Sequence, residues 1–540
     1  MTGWVVRKFN GLAPRHSPRL LGDDMAQSCA NLRLTKGTLT PLRANTAVAP
    51  AVALKTGTIQ TIHRFGQDVA NDTQHWFNWT QDVDVVRGAI FDDTSERTYF
   101  TGTGTPRKTD AVLALTGATS LPMASLELGI PAPVGSMTAT VAGAASSDTA
   151  IPETRVYTCT FVSTWDEESS PGLPSNEVSV AHGQSVNLTL IPDYPSGDYA
   201  FKSVRIYRTV TGSTDTSYYF VGETTTPALG FVDTVEPDDL AEEMPTLTFL
   251  PPPAGLTGLV AMPGGVMAGF VGKDVYFCEP YKPYAWPVGY SMTVDADIVG
   301  LGVFDTTLLV LTKSTPYLIS GSEPANYSMI RAELPQACVS KRSIVDVGGG
   351  IVYASPDGLF LLGGGVTRNL TEQLFSRIEW QALNPSTIHG YVLDNSYIGF
   401  YNGTSGFIFN LQDGSFVPLD WYAQSGYYDP IRDALFLVTG FNSLVRFDSG
   451  GNLAMHWKSK VFYSPKPINL GCARVEAASY PVTLKVWGDG VLKHTQTVAN
   501  KEVFRLPSQY LANLWEFEVS GSVEVYSAGF AEAVEEMAHG

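Results

Sequence analysis

The residues able to do chemistry are scattered along this chain. Its eight histidines (His16, His63, His75, His182, His389, His456, His494 and His539) never fall at metal-ligand spacing. Five cysteines (Cys29, Cys159, Cys278, Cys338 and Cys472) are far apart, odd in number and without a CxxC, so neither a zinc site nor a disulfide framework is indicated. Buried free thiols are the expectation. No GxSxG, HExxH, P-loop or EF-hand loop occurs. Asp295 and Asp297 form an Asp-Ala-Asp that could hold a cation, although two carboxylates so spaced more often flank a turn. Asp357-Gly358, Asp413-Gly414 and Asp489-Gly490 read as turn formers rather than acids or bases. No catalytic residue, metal ligand or cofactor site is therefore assigned, and the chain is expected not to be an enzyme.

Two stretches require a closer weighing. Ser355-Pro-Asp357-Gly358 resembles the Asp-box of sialidase-type propellers but lacks the Thr and Trp that follow in that box. Glycoside cleavage needs two facing carboxylates, and a sequence does not show which of 53 acidic residues face each other. The aromatic turn EPYKPYAWP (279–287) could stack a sugar on Tyr281, Tyr284 and Trp286. The simpler reading is a connection stiffened by Pro280, Pro283 and Pro287, with those three aromatics as candidate subunit contacts.

These residues must be positioned by a repeat. Five segments share one form, an apolar run, a tight polar turn and a second apolar run. They are VMAGFVGKDVYFCEP (266–280), LLVLTKSTPYLISG (308–321), GIVYASPDGLFLLGG (350–364), SYIGFYNGTSGFIFNL (396–411) and ALFLVTGFNSLVRFD (434–448). Each is the signal of a β-hairpin. Their turns recur at spacings of 41, 43, 46 and 39 residues, the period of four-stranded propeller blades. Earlier, TIQTIHRF, HWFNWT, VVRGAIF and RTYFTG (58–102) read as the four strands of one further blade. An Ala/Ser/Thr-rich change of composition at 134–150 then opens a set of alternating strands, as in a small sandwich inserted between blades. After the last hairpin, VTLKVWGDGVLKHTQTV (482–498) starts a C-terminal β-domain.

The expected fold is thus all-β and multi-domain, a β-propeller with an inserted immunoglobulin- or fibronectin III-like sandwich and a C-terminal β-domain. Expected boundaries are 1–50 for an N-terminal arm or platform segment and 51–128 for the first blade or blades. The sandwich takes 129–250, the remaining blades 251–450, and the C-terminal platform domain 451–540. No apolar run reaches membrane length, and the N-terminus lacks a signal-peptide layout, so folding in a cytosol is expected. The net charge of −18 disfavours an ordinary grip on nucleic acid. Positive charge is concentrated at residues 1–43, where Arg7, Lys8, Arg15 and Arg19 could meet an acidic neighbour.

Several segments resemble the tail nozzle family (tail tubular protein B type) of short-tailed bacteriophages. They include KFNGLAPRHSPRLLGDDMAQSCANLRLTKGTLTPLR (8–43), PPPAGLTGLVAMPGGVMAGF (251–270) and KDVYFCEPYKPYAWP (273–287). IVGLGVFDTTLLVLTKSTPYLISG (298–321), QACVSKRSIVDVGGGIVYASPDGLFLL (336–362) and the late EVFRLPS and WEFEVSG complete the likeness, which covers nearly the whole chain. The resemblance implies a structural virion protein made in the host bacterial cytoplasm. It would assemble as a homohexameric ring below the portal and its adaptor, prolong the DNA channel, gate genome ejection and contact tail fibres. Genomic DNA would pass through the lumen without sequence-specific binding. The family carries no catalytic residues to transfer. The alternative is a propeller that binds or cleaves glycans.

Overall fold

The computed structural model describes residues 3–66, 70–117, 119–146, 151–210, 217–333, 335–363, 366–508 and 510–539. The chain divides into two compact units. One is Met1–Thr80, Leu309–Tyr317 and Arg331–Gly540; the other is Gln81–Leu308 and Leu318–Ile330. Helices are few and short, and the fold is all-β and multi-domain, with propeller-type blades, an inserted sandwich and a C-terminal β-domain.

In the second unit, Asp84–Arg87, Thr98–Thr101, Arg107–Thr109 and Leu126–Glu127 form a four-stranded antiparallel sheet in chain order. Thr257–Met262, Val266–Val271, Asp274–Phe277 and Ser291–Thr293 form the next. Val86, Tyr99, Leu128, Leu259, Met267 and Cys278 from the two sheets share one core. Strand alternation delivers this, because every second side chain of each strand faces the neighbouring blade.

Between these sheets lies the sandwich. Thr138–Ala142 pairs with Ser185–Thr189, whose other edge takes Phe231–Asp233. The second sheet orders Tyr157–Ser163, Phe201–Thr209 and Tyr218–Thr224. These are the B–E and C–F–G pairings of an immunoglobulin sandwich. The outer edge of Tyr218–Thr224 is covered by the acidic exit segment, since Phe220 N donates to Glu242 O at 2.9 Å and Met244 N to Tyr218 O at 2.8 Å. All seven residues of Tyr157–Ser163 are buried on both faces. Tyr157, Cys159 and Phe161 enter the apolar core, while Thr160 meets the buried Glu168 carboxylate at 2.6 Å.

In the first unit, Val345–Asp346, Ile351–Ser355, Gly358–Gly363 and Val366–Asn369 make one blade. His389–Leu393, Ser396–Tyr401, Ser405–Asn410 and Phe416–Leu419 make the next. Ala423–Asp429, Ala434–Thr439 and Ser443–Arg446 supply only three strands of a third. Its fourth strand is Thr46–Ala47 from the other end of the chain, with Ala47 opposite Val445 and Thr46 opposite Arg446. The remaining hairpin, Thr307–Thr312 with Tyr317–Ser320, lies where the division between the units falls.

The structure corrects two expectations. Residues 58–102 do not form one blade: Thr61–Arg64 and Trp76–Trp79 pair with each other as a separate two-stranded sheet, and Asp84–Arg87 starts a new one. Trp76 explains the separation, because its ring packs 4.9 Å from Phe436 and 6.0 Å from Tyr427, anchoring its strand to the preceding blade. Nor are residues 1–50 a separate arm. Gly3–Val6 is the edge strand beside Val525–Ala531, and Ala26–Ala30 pairs with Met455–Ser459. Val6, Phe9, Cys29, Leu32 and Leu34 are buried in the same core as Trp457, Trp515, Phe517 and Phe530. The C-terminal domain is therefore built from both ends of the chain.

Candidate functional site

Tyr281, Tyr284 and Trp286 lie on one tightly folded loop but do three different things. The loop closes on itself: Lys282 N donates to Glu279 O at 2.9 Å, Ala285 N to Lys282 O at 3.0 Å, and Glu279 N to Ala285 O at 2.8 Å. Trp286 is not a surface platform. It is 3% exposed, packs in the core beside Met267 and Cys278, and donates its indole N–H to Pro283 O at 2.8 Å. Burial of so large an apolar side chain makes it the anchor of the loop. Tyr284 is half-buried and meets Phe249 edge-on at 6.0 Å. Burial first, then the Glu167 and Glu168 carboxylates, push its phenol well above the usual range, so it stays neutral. Tyr281 alone is exposed, at 61%.

Tyr281 also has a left-handed backbone, φ 60°, uncommon for a bulky side chain. Its N–H donates to Gly265 O at 2.9 Å, and its ring lies over Gly265. A Cβ there would meet the ring at 2.6 Å, so only glycine permits the contact.

Across from this loop the first blade and the sandwich complete a cleft of about 200 Å3. The sandwich contributes Trp165, Asp166 and Glu167 on a turn capped by Ser163, whose hydroxyl accepts from Trp165 N at 3.2 Å and Glu167 N at 3.3 Å. The blade contributes Asp93, Arg97 and Tyr99. Arg97 stands 5.2 Å from the centre of the Trp165 ring and the Lys108 ammonium 4.8 Å from it, within cation–π range. Lys108 is fully buried and ion-paired to Glu167. Burial lowers the Lys108 pKa against the opposing pull of that carboxylate. Asp93 accepts from Arg97 N and Ser95 N, both at 3.1 Å. Burial alone would raise its carboxyl, but the bonds from Ser95 and Arg97 outweigh it and hold the group below its usual value. Asp166 pairs with Lys202 at 2.8 Å.

Of these, the chain itself marks only Tyr281 and Tyr284, through their spacing among prolines. Asp166, Glu167 and Glu168 are consecutive acidic residues, yet Glu167 and Glu168 are 4% and 5% exposed. Arg97 and Trp165 carry no local signal, because an insertion brings them to the loop.

The basic residues Arg7, Lys8, Arg15 and Arg19 are all exposed on the N-terminal segment. Arg7 and Lys8 sit between the buried Val6 and Phe9, while Arg15 donates its backbone N–H to Leu374 O at 2.8 Å and its guanidinium to Glu372 O at 2.5 Å. Asp357, Asp413 and Asp489 sit in turns: Asp413 accepts from Ser415 N at 2.9 Å, and Asp489 from Leu514 N at 3.0 Å. Among the described residues, no group of three or more His, Cys, Asp or Glu side chains is placed to hold a metal ion. All five cysteines are free and buried, and burial pushes Cys29, Cys159, Cys278 and Cys338 up to about 12.

No protein-family model matches the chain, and no curated protein matches it. Among solved structures it is similar to BamB from Moraxella catarrhalis, at 10% identity over 75% of this chain and 96% of that one, TM-score 0.33. The computationally designed Ika8 protein aligns at 9% identity over 75% and 99%, TM-score 0.28. PorZ of Porphyromonas gingivalis, a surface component of a type-IX secretion system, aligns at 10% over 92% and 86%, TM-score 0.26. Likeness of this degree carries no conclusion about function.

Proposed function

We propose that this chain is a tail nozzle protein of a short-tailed bacteriophage, a structural virion component whose copies form a six-membered ring around the DNA exit channel. One observation carries the reading furthest. The segments that resemble the nozzle family at opposite ends of the chain, 8–43 and 502–521, fold into one domain with a common core of Phe9, Leu32, Leu34, Trp515, Phe517 and Val519.

The charge agrees with this role. A net −18 repels phosphates, and a wall that repels lets DNA slide rather than grip. The exposed Arg7, Lys8, Arg15 and Arg19 form the surface offered to the tail adaptor, and Tyr281 is a candidate contact with a neighbouring protomer or a tail fibre. The blades are wall material, and function lies in how copies surround a hole.

End-on negative-stain images of the purified full-length chain test this. Closed rings with rotational symmetry are the expected result. A strict monomer at micromolar concentration overturns the nozzle reading.

A further inference from the structure

The cleft under Tyr281 is built for something small. At about 200 Å3 it falls below the ~300–1,000 Å3 of drug-sized pockets, and aromatic rings from three separate elements reach it, Tyr99, Trp165 and Tyr281. Most of its charges are already paired: Arg97 stands 3.9 Å from Asp93, Lys108 bonds Glu167, and Lys202 bonds Asp166, while the Lys282 ammonium at the rim lies 4.4 Å from the centre of the Phe249 ring. Pairing cancels most of the field while leaving carboxylate lone pairs and guanidinium N–H groups at the walls. A strongly charged ligand gains little there. An apolar one would strand those polar groups without partners.

We propose that this cleft binds a single neutral sugar residue. A pyranose offers what the walls require. Its hydroxyls both donate and accept, matching Arg97, Asp93 and Asp166, and its C–H face suits the electron-rich face of an aromatic ring. Tyr281 is the stacking residue. Its inner face lies on Gly265 and its side chain is largely exposed, so its outer face is open to a ligand. The left-handed backbone that holds it there is the kind of strain found where a side chain is fixed for a purpose. Binding requires no covalent step.

The test uses the full-length chain with methyl glycosides of glucose, galactose, mannose and N-acetylglucosamine at millimolar concentration, read by saturation-transfer NMR and calorimetry. At least one should bind saturably. Tyr281→Asn removes the ring while keeping a residue that tolerates the left-handed backbone, and it should weaken binding at least about tenfold with an unchanged Tm. Tyr281→Phe should retain it. No saturable binding by any glycoside, equal binding by Tyr281→Asn, or displacement of the glycoside by inorganic phosphate overturns the assignment, the last pointing to an anion site on Arg97. Titration reads the cleft whether or not the chain forms rings. Rings without sugar binding therefore overturn only the cleft, and sugar binding without rings overturns only the nozzle reading.

Discussion

His389 shows how far burial decides the behaviour of a single side chain. It is 2% exposed, stacks on Phe400 at 5.5 Å, and shares hydrogen bonds with the Tyr391 and Tyr422 hydroxyls at 3.1 and 3.3 Å. Burial, and then the Arg342 charge, hold its imidazole well below the ordinary 6.5. The folded chain therefore keeps His389 neutral, while the unfolded chain takes up a proton once the pH drops below 6.5. Its contribution to stability is complete above that pH and is lost progressively below it. Linkage makes the loss on the order of 1 kcal/mol one pH unit below that point. Urea midpoints measured at pH 7.5 and 5.5 should show a drop that is smaller in the His389→Gln protein; equal drops would assign the acid sensitivity to other groups. Burial likewise pushes the five thiols up, which keeps them protonated and unreactive.

At the scale of elements, the N-terminal segment offers the sharpest test. Phe9 is 1% exposed and meets Trp457 edge-on at 4.9 Å, and the Trp457 indole donates to Asn10 O at 2.9 Å. If the segment is part of the domain, Phe9→Ala costs about 3 kcal/mol, seen as a lower urea midpoint. A loss under about 0.5 kcal/mol, the range of ordinary surface substitutions, would make it a detachable arm instead. The central hairpins were legible in the sequence because their signal is local: the apolar run Val266–Val271 and the alternating Asp274–Phe277 flank Gly272-Lys273. Pairing between distant strands was not. Nothing near Ala26–Ala30 announces Met455–Ser459, and nothing in 58–102 says that Trp79 ends one sheet and Asp84 begins another. Thr138–Ala142 was hidden because its small side chains give little apolar contrast with the Ala/Ser/Thr run around it, and Leu126–Glu127 is too short to carry a pattern. The same limit explains the aromatic loop, where spacing marks Tyr281, Tyr284 and Trp286 as equals and only packing separates the anchor from the exposed ring.

For the whole molecule, the basic residues and the acidic remainder act together. The proposed ring of six 58.3 kDa copies would have a mass of about 350 kDa, and each copy would carry the exposed Arg7, Lys8, Arg15 and Arg19 on a chain of net charge −18. Because the segment bearing Arg7, Lys8, Arg15 and Arg19 is folded, substitution probes it better than deletion, which would remove part of a core. Changing all four to Glu should leave ring formation intact and stop the rings joining adaptor-bearing heads, scored by electron microscopy of mixed components. Normal joining would remove these residues from the docking surface.

Both ends of the chain meet in one domain, and this sets a clock. Gly3–Val6 lies against Val525–Ala531, and Thr46–Ala47 completes a blade begun at Ala423. A ribosome adding ~5–20 residues per second needs roughly 20 seconds or more between making those partners. Throughout that interval Val6 and Phe9 have no core to enter, and these early strands wait for the later ones to fold. A chain cut short in translation can still close its central hairpins, but it leaves its opening strands unsealed. Only chains in which those later strands have been made can therefore hold the segment bearing Arg7 and Lys8 in its folded form.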